Sequence, residues 1–135
     1  LGKFMATNSN WTVVFDDKRV VKNNNEGANE GIGYTVSDDS FWSQSKFSNI
    51  WAIQYENSNV SDQVEYRDET PHSSYADANL GDFQEFITRW DAAHLATMQE
   101  NWDNNHFYDE NGDHTTETES EKIARLGARP TSYSS

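Results

Sequence analysis

The chain has 135 residues, a mass of 15.5 kDa and a formal net charge of −13, which is the size of one ordinary domain. It contains no cysteine, which excludes disulfides and thiolate zinc sites, and no apolar run approaches the ~20 residues that a membrane helix needs. Only 34% of the residues are hydrophobic, but 5 Trp, 6 Tyr and 7 Phe can build a compact core.

The charge is spread unevenly along the chain. Residues 56–121 hold 17 acidic residues against two arginines, whereas residues 122–135 carry only basic charges. An acidic surface keeps a protein in solution, and it repels phosphate backbones. Direct nucleic-acid binding is therefore disfavoured.

The N-terminal part predicts a β-hairpin. Residues 10–15 and 19–22 are rich in β-branched and aromatic side chains, and they flank a turn-forming stretch at 16–18. Side chains two positions apart share one face of a strand. The residues that this spacing predicts to be buried are Trp11, Val13 and Phe15.

Three further strands are predicted, at residues 34–36, 49–55 and 63–67. A polar loop, 23–33, precedes the first of them. Polar side chains at 37–40 predict a cap for one helical turn at 41–44. The residues expected to share one face of the strand at 49–55 are Trp51, Ile53 and Tyr55.

A long amphipathic helix is predicted near residues 80–102, with Asp77 or Asn79 as its N-cap. Its apolar stripe comprises Leu80, Phe83, Phe86, Ile87, Trp90, Ala93, His94, Met98 and Trp102. An isolated helix is marginal in water, so this stripe needs a sheet to cover it. The fold class is therefore predicted to be α+β, with a small antiparallel sheet of four to five strands packed by the helix.

The domain is predicted to span residues 5–104. An acidic turn region and a basic, partly disordered tail would follow at 105–135. Asn111-Gly112 favours a tight turn, and residues 119–127 predict two helical turns that end at glycine.

The acidic loop that begins at Asp109 resembles a calcium-binding loop, but its residues do not match the required ligand positions. With Asp109 as the first position, glycine falls at position 4 instead of 6, and Ser120 occupies the position that requires glutamate. A simple turn is favoured. The remaining candidates for a nitrogen–oxygen metal site are His106, Asp109, Asp113 and His114.

No catalytic or cofactor motif is present in the sequence. There is no nucleophile elbow, phosphate-binding glycine loop or cysteine nucleophile. A polar cluster after the last strand has the residue types of an acid–base pair, but solvated loop ends have the same composition. Its members are Glu65, Asp68, Glu69 and His72. We predict no catalytic residue and no cofactor.

The basic tail is the stronger functional candidate. It combines an amphipathic patch with positive charge and a terminal aromatic, a composition typical of segments that fold on binding. Its charge is opposite to that of residues 56–121, which suits docking on a partner protein or on a second copy; an ordinary frayed terminus is the alternative. The predicted partner-binding residues are Lys122, Ile123, Arg125, Leu126, Arg129 and Tyr133.

Four segments resemble proteins of marine tailed cyanophages, a family without an established activity. They are FSNIWAIQY (47–55), RDETPH (67–72), the helical stretch 81–95 and ARPTSY (128–133). The resemblance implies a marine viral source and a virion-associated or infection-phase role, and it supplies no catalytic residues.

These observations lead to three functional hypotheses. The first is a non-enzymatic viral interaction protein, virion-associated or assembly-related, that binds proteins through its helix face or its tail. The second is an acidic decoy that imitates nucleic acid and occupies a host DNA-binding protein; the third is a small metal-dependent enzyme. The expected location is the host cytoplasm or the virion. No signal peptide opens the chain, and Met5 offers a more natural start than Leu1.

Overall fold

A computed structural model of the chain describes residues 10–22, 31–56 and 62–132. Its five strands form one antiparallel sheet in the order β3-β2-β1-β4-β5. The strands are β1 (Trp11–Val14), β2 (Arg19–Lys22), β3 (Ile32–Thr35), β4 (Ile50–Tyr55) and β5 (Gln63–Tyr66). The predicted α+β class with a small antiparallel sheet is confirmed.

Four α-helices and one 3₁₀ turn, Ser45–Phe47, complete the described elements. The helices are α1 (Asp39–Trp42), α2 (Tyr75–Ala78), α3 (Gln84–Asp103) and α4 (Glu119–Leu126). The chain divides into two compact units, residues 1–90 and 91–135, so the division falls within α3. We call them the N-terminal and C-terminal units. The predicted domain limits of 5–104 and 105–135 stay predictions.

The predicted hairpin forms as β1 and β2, with Val13 opposite Val20. Trp11, Val13 and Phe15 are buried, as the period-two spacing predicts. The described core of the N-terminal unit also includes Val20, Ile53, Val64, Phe86 and Trp90, all at most 2% exposed. This places the sheet and the first two turns of α3 around one aromatic core.

Phe86 lies at the centre of that core. Its ring contacts five other aromatic rings at centroid distances of 5.1 to 6.2 Å. They belong to Phe15, Phe41, Trp42, Phe47 and Phe83. Edge-to-face aromatic pairs add to the free energy gained by burying their area, so this cluster compensates for the low share of aliphatic residues.

Trp51, Ile53 and Tyr55 are predicted to share one face, and this is wrong for Trp51, whereas Ile53 and Tyr55 both lie on the core face, opposite Val13 and Trp11 of β1. The register between β4 and β5 shifts between Ile50 and Ala52, which marks a β-bulge. The bulge breaks the alternation of faces, so Ile53 is fully buried whereas Trp51 is 48% exposed. An extra residue in one strand leaves no trace in the spacing of apolar residues.

The long helix is confirmed, but it begins at Gln84, and the predicted N-caps are wrong. Asp77 lies inside α2, and Asn79 ends that helix in the left-handed conformation, with φ of 57°. Gly81, with φ of 98°, also interrupts helical geometry. The carboxylate of Asp82 accepts the N–H of Gln84 at 2.9 Å and so serves the first turn of α3.

The strand β3 begins earlier than predicted, at Ile32 in place of Tyr34. Gly33 pairs with Val21 of β2, and a Cβ at this position would lie 2.8 Å from a Val21 methyl and collide with the Arg19 guanidinium. Gly33, which the sequence predicts to lie in a loop, therefore lies in β3 and leaves room for Arg19 to pack across the sheet.

Candidate functional site

The predicted acidic turn forms a small hairpin in the C-terminal unit. Tyr108 and His114 pair across it, and Gly112 has φ of 84°. The side-chain carboxylate of Asp109 accepts the backbone N–H groups of Asn111 and Asp113, both at 2.9 Å. The Asn-Gly turn is thereby confirmed, and the Asp109 carboxylate serves it as an internal hydrogen-bond acceptor.

The two helical turns predicted at residues 119–127 form α4. Neighbouring residues determine where this helix begins and ends. Thr118 Oγ1 accepts the N–H of Glu121 at 3.1 Å, while the Glu121 carboxylate accepts the N–H of Thr118 at 2.8 Å. This reciprocal pair is a capping box. The helix ends at Gly127, with φ of 83°.

Replacing Thr118 by alanine removes one half of the capping box. We expect α4 to lose about 1 kcal/mol of local stability, because N-cap side chains contribute that much. Hydrogen exchange of the α4 backbone amides measures the change. Thr116→Ala removes an exposed hydroxyl outside the box, and equal effects of the two substitutions would contradict the role of Thr118.

Two of the predicted partner-binding cations contact the end of α3. Arg129 forms two hydrogen bonds with the Asp103 carboxylate, at 2.8 and 2.9 Å. Lys122 Nζ donates to the Asp103 carbonyl at 3.2 Å and lies 4.2 Å from the centre of a Trp102 ring. Trp102 Nε1 donates to the Gly127 carbonyl at 3.0 Å. The hydrogen bond from Arg129 lowers the pKa of Asp103.

The third cation is paired within the same unit. Arg125 forms two hydrogen bonds with the Glu117 carboxylate, at 2.9 and 2.8 Å, and donates to Asn105 Oδ1 at 2.8 Å. The Glu117 side chain is only 12% exposed. The hydrogen bond from Arg125 lowers the pKa of Glu117, so this side chain is a carboxylate at neutral pH.

The remaining predicted partner-binding residues differ in exposure. Ile123 is 40% exposed and Leu126 is half-buried on α4. Tyr133 lies outside the described residues. The tail therefore presents apolar area at Ile123, while its three cations are engaged inside the C-terminal unit.

Two adjoining surface cavities lie between the hairpin and α4. Their volumes are about 300 and about 210 Å³, and both are lined by Phe107, Thr115, Thr116 and Glu117. Phe107 is 45% exposed and Tyr108 is 56% exposed. We call this region, with its two cavities, the hairpin groove. Exposed aromatic rings beside concave surface are typical of binding sites.

The C-terminal unit, which contains the hairpin groove, carries an excess of negative charge. Residues 91–132 contain nine acidic and three basic residues, and each of the three cations contacts an acidic side chain or a carbonyl of the same unit. The acidic residues that make no described ion pair or hydrogen bond through their side chains include Glu100, Glu110, Asp113 and Glu119. An approaching molecule therefore meets a surface with excess carboxylates.

The structure separates the metal candidates. His106 and His114 lie together, with ring centroids 4.6 Å apart, but Asp109 is held by the turn. In the described parts of the chain, no group of three or more His, Asp or Glu side chains could hold a metal ion. The two histidines are therefore brought together, whereas neither Asp109 nor Asp113 forms a group of three with them among the described residues.

In the predicted polar cluster, Asp68 makes turn contacts after β5, whereas Glu65 lies within that strand. Asp68 accepts the Thr70 N–H at 2.9 Å and an Asn49 amide N–H at 3.0 Å. Hydrogen bonds from Thr70 are the main cause of its lowered pKa. A general acid near neutral pH needs a raised pKa, so Asp68 is unsuited to that role. Glu65 accepts a hydrogen bond from the Gln63 amide.

Among the acidic side chains that the structure describes, raised pKa values occur instead in the N-terminal unit, at Tyr55, Glu56 and Tyr75. Burial is the main cause of all three, and it raises the pKa of Tyr75 to about 12. Tyr55 stacks on Phe83 at 3.9 Å, and Tyr75 contacts both rings. The burial of the two tyrosines follows from aromatic packing, whereas the neighbouring Asp62 carboxylate adds to the effect of burial at Glu56.

No protein-family model matches the chain, and neither a curated protein nor a solved structure matches it. Across the described ranges, no helix has the length and apolar character required to cross a membrane.

The sequence does not predict the hairpin groove, because its residues come from three separate segments. In the sequence, Phe107 and Thr115 only flank the predicted turn, and no motif includes Glu117. One signal was present: Thr118-x-x-Glu121 matches the capping-box pattern and fixes where α4 begins. The groove follows only when α4 and the hairpin are placed together.

Proposed function

We propose that this protein is a non-enzymatic interaction protein whose C-terminal unit binds a positively charged segment of another protein. The observation that carries the proposal is the combination, in one unit, of exposed aromatic rings and carboxylates that no internal cation offsets. The resemblance to cyanophage proteins would make the role virion-associated or assembly-related.

The apolar part of the hairpin groove supports an anchored mode of binding. Aromatic residues in partly enclosed pockets contribute most of the free energy at typical protein interfaces. Phe107 borders both cavities, and Tyr108 is the most exposed of the large hydrophobic residues described. A cavity of about 300 Å³ accommodates one aliphatic side chain or the stem of a lysine or arginine.

The charges of the C-terminal unit support a positively charged partner. Arg125 and Arg129 are held in two-fold hydrogen bonds with Glu117 and Asp103, so an acidic partner would have to break those pairs. A basic partner leaves them intact and meets the unpaired carboxylates. Complementary charge raises association rates and selects partners, and salt weakens it.

The test is a titration of the full chain with fluorescently labelled basic peptides that contain one leucine or tyrosine anchor. A matched peptide with every lysine replaced by glutamine measures the contribution of charge. We expect Phe107→Ala and Tyr108→Ala to weaken binding of the basic peptide about tenfold or more, which corresponds to about 1.4 kcal/mol. Anisotropy at about 50 and about 300 mM salt should show weaker binding at the higher concentration.

Trp51→Ala is the matched control, because Trp51 is an exposed aromatic residue of the N-terminal unit. It should leave the affinity unchanged. Equal binding of the basic and neutral peptides would refute the proposed charge selectivity. Equal losses in the Trp51 and Phe107 variants would refute the assignment to the hairpin groove.

A further inference from the structure

The two histidines of the hairpin lie on one side of it. His114 pairs with Tyr108, and His106 precedes Tyr108 by two positions. Side chains two apart on an extended segment point to the same side, so His106 and His114 form a diagonal pair across the hairpin. Both residues are exposed and both line the smaller cavity, of about 210 Å³.

The separation of the two rings matches that of two ligands on one metal ion. Imidazole nitrogen binds zinc at about 2.0–2.1 Å, which puts each ring centroid about 3.2 Å from the ion. Two such rings at about 90–110° have centroids about 4.5–5.2 Å apart. The observed distance is 4.6 Å, with the rings at 84° to each other. Both side chains are exposed, so their χ angles can rotate to turn one nitrogen of each ring toward a shared ion.

The surroundings include charges of both signs. The Glu117 carboxylate lies close enough to interact electrostatically with His106. The cations Lys122 and Arg125 are held by the Asp103 carbonyl and by Glu117, respectively. The cavity is large enough for an ion with a few water molecules, each of which occupies about 30 Å³ in the liquid.

We propose that His106 and His114 together bind one first-row transition-metal ion, with water filling its remaining coordination positions. Imidazole suits Zn²⁺, Cu²⁺ and Ni²⁺, whereas Ca²⁺ and Mg²⁺ prefer several oxygen ligands. The carboxylate of Asp109 is committed to the turn, and Asp113 forms no three-residue group with the histidines among the described residues, which leaves the two imidazoles as the protein ligands. This site lies in the smaller cavity of the hairpin groove, which the proposed basic segment would also contact, but its tests use the metal ion alone, so the two proposals can fail separately.

Two measurements on the untagged full chain test the site. Calorimetric titration with Zn²⁺ should give one ion per chain and a dissociation constant in the micromolar range. Electron paramagnetic resonance of the Cu²⁺ complex should show coupling to two imidazole nitrogens.

His106→Gln and His114→Gln should each weaken Zn²⁺ binding about tenfold or more, a loss typical of altered metal sites. Each should also leave one coupled nitrogen in the Cu²⁺ spectrum. His72→Gln is the matched control, since His72 is an exposed histidine of the N-terminal unit. Circular dichroism checks that the variants fold. Unchanged affinity in either hairpin variant, an equal loss in His72→Gln, or no binding at millimolar Zn²⁺ would overturn the proposal.

Discussion

Phe86→Ala is expected to destabilise the protein by about 3–5 kcal/mol, which is the usual loss for a buried phenylalanine. The ring is 1% exposed and contacts five other aromatic rings, so its removal leaves a cavity and breaks several edge-to-face contacts. Equilibrium unfolding in urea, followed by the far-ultraviolet circular dichroism of the sheet and helix, measures the loss. It amounts to a large part of the ordinary stability of a small domain.

Two control variants separate the effect of burial on stability from the effect of removing an aromatic side chain. Ile87→Ala shortens the next residue of α3, which is half-buried, and should cost less than Phe86→Ala. Trp51→Ala removes a larger aromatic side chain that is exposed at the bulge, and should change stability by about 0.5 kcal/mol or less. A loss below about 1 kcal/mol for Phe86→Ala would contradict its central place in the core.

The parts of the fold that the sequence predicts well are those with an uninterrupted period. The stripe through Phe86 and Trp90 recurs at helical spacing, and both residues are buried on α3. Trp11, Val13 and Phe15 alternate without a break, and all three are buried. In these segments the intrinsic secondary-structure preference of each residue and its packing in the core favour the same structure.

The predictions that are wrong depend on the backbone conformation of single residues. The bulge at Trp51 and the left-handed residues Asn79 and Gly81 each redirect the chain without altering its composition. The sequence does not predict the internal pairing of the tail, for a different reason. Arg129 and Asp103 are 26 residues apart, so their charges read as separate patches until α4 brings the tail back to α3.

The two units are stabilised by different interactions. Among the described residues, every buried one lies between residues 10 and 90. Residues 91–132 depend instead on half-buried side chains such as Trp102, on the capping box and on the pairs made by Arg125 and Arg129. Segments with few buried apolar contacts open at lower free energy than a core does. The hairpin groove is therefore built on the part of the chain that is easiest to open.

Acid should release α4 from its contacts before it unfolds the aromatic core. The pKa values of Asp103 and Glu117 lie below 3.8 and 4.5, the values expected without their arginine partners, because each carboxylate accepts hydrogen bonds from an arginine. A depressed pKa in the folded state contributes stability that is fully present above the unfolded pKa. That contribution falls as the pH drops through the folded pKa. The contacts of α4 should therefore be intact at neutral pH and lost below about pH 4.

Two indole N–H groups report on this transition separately in nuclear magnetic resonance. Trp102 Nε1 donates to the Gly127 carbonyl at the end of α4, and Trp90 Nε1 donates to the Ile32 carbonyl in the N-terminal unit. On lowering the pH, the Trp102 signal and the α4 amides should lose protection first. Trp90 should follow at lower pH, because its ring is buried in the aromatic core and packs on Trp11 and Tyr34.

Replacing Arg125 and Arg129 together by glutamine supplies the matched variant. It keeps side chains of similar length and removes the charges that depress the two pKa values. The α4 amides should then be less protected at neutral pH, and their protection should depend less on pH below about 5. If α4 in the unaltered chain keeps its protection to the pH at which Trp90 is released, the arginine–carboxylate pairs do not hold the helix. The C-terminal unit would then depend on its half-buried apolar residues, and the carboxylates of Asp103 and Glu117 would be available to a basic partner.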